Sequence, residues 1–188
     1  MSARGIVISA AKRSTEDTME SPEFAHLYTL AALAMTFVGF SVIVMVLRQS
    51  LGHKLTRFDI LLAHVYMEFG LMISAGSLVP PLLMRWELSP SMVWRVSSVV
   101  AALPLIIFAV TYPRRRRAAS GEPSPFYALF NSFVVLLIGL CFLMNAFVLQ
   151  DHLAAAFITV MTAFLIFSTC TFLQALNVIL KHRPQTIE

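Results

Sequence analysis

The sequence predicts an all-α fold: a polytopic bundle of five transmembrane helices, with the N-terminus outside and the C-terminus in the cytoplasm. Three observations predict it. The 188-residue chain is 58% hydrophobic and 13% charged, against about 45–50% and about 25% in an average soluble domain, and its mean hydropathy is +0.78. Five apolar segments are each long enough to cross a hydrocarbon core about 30 Å thick, which takes about 20 helical residues. The basic residues gather between those segments instead of spreading over a surface, the distribution that sets membrane topology. That distribution also excludes nucleic acid as a partner, despite a pI of 9.4.

Residues 1–21 form a polar tail of mixed charge. Its apolar run at 5–11 is at the short limit for a signal peptide, and Glu16, Asp17 and Glu20 stand where a cleavage site would be expected. The transmembrane domain covers 22–182, with spans at 22–47, 58–82, 90–112, 125–149 and 152–180, and 183–188 is a short tail. Three spans open on Ser-Pro, at residues 21–22, 89–90 and 124–125. Serine at the N-cap can accept from an unpaired backbone N–H, and proline at the next position has none to leave unpaired. Thr56 with Asp59 approximates a capping box at the second start, and Asp151 caps the fifth. Pro113 predicts the end of the third span at Tyr112. Pro80 and Pro81 predict a stop or bend late in the second, and Pro104 a kink in the third.

Orientation follows from the basic residues. Arg48, Lys54, Arg57, Arg114, Arg115, Arg116, Arg117, Lys181 and Arg183 lie on one side, nine in all. Arg4, Lys12, Arg13 and Arg85, four in all, lie on the other. The richer side is predicted to be cytoplasmic, which makes this a multi-pass protein of the cytoplasmic (inner) membrane. Phe24, Tyr28, Trp86 and Trp94 are expected in an outer aromatic belt, and Phe58, Tyr112, Phe126 and Tyr127 in an inner one. The four arginines 114–117 are candidates for contact with anionic lipid heads, worth about 1 kcal/mol each near the surface. The expected partners are the lipid bilayer and either a second copy or another membrane protein.

Glu68 is the outstanding residue. It lies ten positions into the second span, roughly 15 Å deep at 1.5 Å per residue, where an ionised carboxylate costs several kcal/mol unless paired or hydrated. His64, one turn earlier, shares its face and is the expected partner. Ser41, His64, Asn131 and Gln174 each sit about six residues from the same side, roughly 9 Å deep, with Thr171 and Thr36 near the level of Glu68. The expectation is a polar pocket open to the cytoplasm with Glu68 as its floor. The competing reading makes these side chains interhelical glue, about 0.6 kcal/mol apiece.

Two cysteines, Cys141 and Cys170, fall at different depths and read as small buried hydrophobes. Ser74-Ala75-Gly76-Ser77, Gly39 and Gly139 read as sites of close helix packing. A zinc site lacks a third ligand beside His64 and Glu68, and His26 with His152 is a weak axial pair for haem, so no cofactor or metal is expected. With no G-x-S-x-G and no P-loop, the sequence leans away from an enzyme. It points to a small transporter, channel or proton- or ion-handling protein built on Glu68 and His64, or else to a non-catalytic accessory subunit of a membrane complex.

Overall fold

The computed structural model describes residues 22–50, 57–86, 88–121, 126–149 and 152–181. Among them are five helices: α1 Pro22–Ser50, α2 Arg57–Met84, α3 Pro90–Ser120, α4 Phe126–Phe147 and α5 Leu153–Lys181. All five are long and apolar enough to cross a membrane. The first four pack in chain order, α1 on α2, α2 on α3 and α3 on α4, and α5 lies against all of them. Such short connections leave sequential neighbours antiparallel.

The helices carry large apolar side chains on their outward as well as their inward faces, as helices suited to lipid surroundings do. Their inward faces supply a core of Phe69, Phe108 and Phe164 midway along the bundle, with ring centroids 4.7 and 5.3 Å from Phe69. Their outward faces carry Leu33, Ile43, Leu82, Ile107 and Phe133, all exposed. In a bilayer, lipid tails would be as apolar as these side chains, so van der Waals fit and interhelical hydrogen bonds would be what hold such helices together. Close approach therefore matters. A Cβ at Gly70 would stand 2.3 Å from Val38 Cγ2 and 3.1 Å from the Ala34 carbonyl, and one at Gly139 would stand 2.9 Å from Ile106. Gly70 thus seats α1 on α2, and Gly139 seats α3 on α4. Gly76 receives the tip of Met161. Gly39 has open space around it, so it is not a packing site.

The arginine-bearing end of α3 departs most from the sequence expectation. The helix does not stop at Tyr112 but continues through Pro113 to Ser120. Proline lacks the N–H that would bond the carbonyl four residues earlier, which here is Ala109. Ser132 of α4 donates its hydroxyl to that carbonyl at 3.0 Å, so the freed acceptor has a partner. Termination comes at Gly121, whose φ of 70° closes an N–H bond to the Arg117 carbonyl at 3.0 Å, a left-handed cap natural for glycine. Likewise α2 runs through Pro80 and Pro81 to Met84, with Pro80 buried in the bundle.

Other expectations are corrected too. Ser89 precedes α3 with extended backbone but makes no side-chain cap bond; its hydroxyl faces that of Ser91 at 3.4 Å. The caps expected at Ser21, Thr56, Ser124 and Asp151 lie outside the described residues. Trp94 and Phe24 form no belt. They are buried and stacked on each other, and Trp94 also meets Phe157. Cys141 and Cys170 are free and exposed, not buried. At the end of the bundle opposite the arginines, Asn145 is buried and donates to Ser98 Oγ at 2.9 Å and to the Leu153 carbonyl at 3.2 Å. This clamp joins α3, α4 and the start of α5.

Candidate ion pair and cavity at the arginine end

Extending α3 to Ser120 carries all four arginines on its last two turns, where successive residues turn by about 100°. Arg114 and Arg117 face outward and are exposed. Arg115 turns towards α2 and Arg116 towards the interior. Two of the four candidate lipid contacts are therefore engaged inside the chain.

Arg115 holds Glu68 in a bidentate pair, with Nη1 2.9 Å from Oε2 and Nη2 2.6 Å from Oε1. Both side chains are about one-third exposed, 39% for Arg115 and 31% for Glu68. The facing positions Phe69 with Phe108 and Gly76 with Ala101 put Glu68 level with about residue 109. Arg115 thus lies six residues nearer the end, roughly 9 Å along the axis. The side chains bridge that offset because each Cα–Cβ bond tilts towards its own helix N-terminus. In the antiparallel pair α2 and α3, Glu68 therefore leans towards the arginine end and Arg115 leans towards the centre. The guanidinium fork matches the carboxylate and displaces the expected partner. His64 is exposed, and its Nδ1 donates to the Ile60 carbonyl at 2.9 Å. The Glu68–His64 pair is not formed.

A cavity of about 450 Å³ opens between α2, α3, α4 and α5. On α2 it is lined by Phe58, Leu62, Val65, Tyr66 and Phe69, one helical stripe running eleven residues, roughly 16 Å. Glu68 and His64 lie about 100–145° around the helix from that stripe and are not among the lining residues. Glu68 is therefore not the floor of this cavity, whose deep end is Phe69, Phe108, Val135 and Phe167. Of the sequence candidates, Asn131, Gln174 and Thr171 line it together. Ser41 does not; it is buried on α1 and bonds the Phe37 carbonyl at 2.9 Å. Thr36 makes the same back-bond to Ala32. Thr171 satisfies its hydroxyl on Phe167 and Ser168 and accepts at its own carbonyl from Tyr66 Oη, 2.9 Å away.

Arg116, expected like Arg115 as a lipid contact, points into the bundle instead. It is only 6% exposed and lines the cavity. Its guanidinium carbon lies 4.8 Å from the Phe58 ring centroid and 5.1 Å from that of Tyr127. Nη2 donates to Tyr127 Oη at 2.8 Å and Nη1 to Tyr112 Oη at 3.4 Å, while Nε has no partner. Three of the four residues assigned to an inner aromatic belt, Phe58, Tyr112 and Tyr127, thus enclose a cation. Spacing could have disclosed this: positions 109, 112 and 116 share a helical face once α3 continues past Pro113.

Among the described residues no three His, Cys, Asp or Glu side chains gather as a metal site. His26 uses Nε2 on Thr162 Oγ1 at 3.3 Å, tying α1 to α5, and His152 precedes α5 in a left-handed conformation with φ 59°. No protein family model, characterised relative or solved structure matches this chain.

Proposed function

We propose that this chain is a multi-pass protein of the cytoplasmic membrane, N-terminus outside and C-terminus inside, that admits a small solute into the space enclosed by α2, α3, α4 and α5 from its cytoplasmic, arginine-rich end. This is a transporter-like role. One observation carries the reading: a cavity of about 450 Å³ framed by four helices, within the range of about 300–1,000 Å³ typical of ligand pockets. Its polar groups converge at one end of otherwise apolar walls, the arrangement that orients a ligand. Glu68 takes a structural part in this reading, since Arg115 fastens it as a strut between α2 and α3.

Two native thiols test it. Cys170 lines the cavity and Cys141 does not, though both are exposed. In nanodiscs, a small water-soluble maleimide should modify Cys170 at least tenfold faster than Cys141, which would face lipid. Equal, slow modification of both would mean that water does not enter. The accessory-subunit reading, with the polar residues as glue, would then replace this one.

A further inference from the structure

From the same cavity we infer that its ligand is an amphiphile with a single anionic head, seated on Arg116 with its apolar body along the aromatic walls. The inference rests on the solute-binding reading above and specifies the solute.

The polar end holds a buried cation, Arg116, that has no counterion among the described residues. Arginine stays protonated in proteins, and a desolvated charge is expensive unless it is paired. Arg116 has two ring faces and two phenol oxygens, but no carboxylate among the described residues approaches it, and Nε is unpartnered at 94% burial. Arg115 takes Glu68, and among the described residues no other carboxylate is left for Arg116. Aromatic faces stabilise a cation by about 0.5–2 kcal/mol, which offsets part of the desolvation and leaves a site that an anion completes. Asn131 and Gln174 line the same cavity, and neither amide is hydrogen-bonded within the described residues. Both can donate N–H groups to the head.

The remaining walls define the rest of the molecule. Leu62, Val65, Phe69, Phe108, Val135 and Phe167 continue from the polar end to the deep end without another charge. They suit an aliphatic or aromatic body. At about 30 Å³ per group of water size, the volume holds roughly fifteen non-hydrogen atoms. One guanidinium suits a singly charged head, such as a carboxylate or a phosphodiester. A free amphiphilic acid and an anionic lipid offer the same chemistry.

The test uses the full chain in nanodiscs and measures binding by calorimetry and by the rise in melting temperature. With phosphatidylcholine discs, decanoate below its micellar concentration should bind saturably and raise the melting temperature, whereas decanol and decyltrimethylammonium should not. Arg116→Gln should weaken decanoate binding at least tenfold, and Arg116→Lys should retain part of it. Should Arg116→Gln fail to fold, the three-ligand comparison on the wild type still decides. Phosphatidylglycerol discs distinguish the sources: decanoate binding lost there means that the lipid head occupies the site, and binding kept means a free acid does. Either result supports the inference. Equal effects of decanoate and decanol, or no binding by any anion in either disc, would overturn it. If Cys170 is nonetheless reactive in that case, the cavity reading stands and only the anion assignment falls.

Discussion

At the scale of single residues, the two adjacent arginines do different work. Arg115 and Glu68 neutralise each other across α2 and α3. The pair is one-third exposed, so its worth falls between that of a surface bridge, about 0–1 kcal/mol, and the larger penalty of breaking a buried pair. Glu68→Gln and Arg115→Gln should each destabilise the protein in nanodiscs by about 1–2 kcal/mol, because each leaves one charge unpaired. The double variant should cost less than the two singles added together. Strict additivity in this cycle would show that the pair is not coupled. Glu68 was legible as a residue needing a partner, because the cost of a lone carboxylate in a span follows from composition alone. The partner was not legible. His64 at one helical turn is a local guess, whereas Arg115 is 47 positions away and reaches Glu68 only through the antiparallel packing of two helices.

At the scale of elements, the decisive feature is the passage of α3 through Pro113. A proline-based stop is a sound local inference, and it fails because a neighbouring helix supplies the missing donor. Ser132 bonds the Ala109 carbonyl, an interaction that a reading of α3 alone cannot contain. Ser132→Ala should therefore cost about 1 kcal/mol, the usual penalty of an unsatisfied buried acceptor. Its cost should nearly vanish in a Pro113→Ala background, where residue 113 regains its N–H. Chemical denaturation of the four proteins measures this. An equal cost in both backgrounds would remove Ser132 as the partner that lets the helix continue. The misplaced stop also explains why Arg116 was missed. If residues 113–117 form a loop, four arginines are interchangeable surface charges; on a helix, their directions are set individually.

At the scale of the whole molecule, the helix number and approximate positions were legible because they rest on long apolar runs and punctuating prolines, signals that span many residues. Asn131 and Gln174, expected at one depth, line one cavity together with Thr171, which was expected nearer the level of Glu68. Depth alone cannot tell which face of a helix a residue occupies, which is why Glu68, His64 and Ser41 shared a level with the cavity without lining it. The orientation proposed for the bundle has its own check. Reporter domains fused after Gly121 and at the C-terminus should both be cytoplasmic, and an external signal from either would reverse or break the five-span arrangement. Cys170 lines the space that the anion would fill, so its reactivity reports on occupancy directly. The rate of its maleimide modification should fall at least fivefold when decanoate is added to wild-type protein in phosphatidylcholine discs. Cys141 should be unaffected, and Cys170 of Arg116→Gln should lose the protection. A Cys170 rate unchanged at saturating decanoate would contradict the account, because the bound molecule would then lie elsewhere.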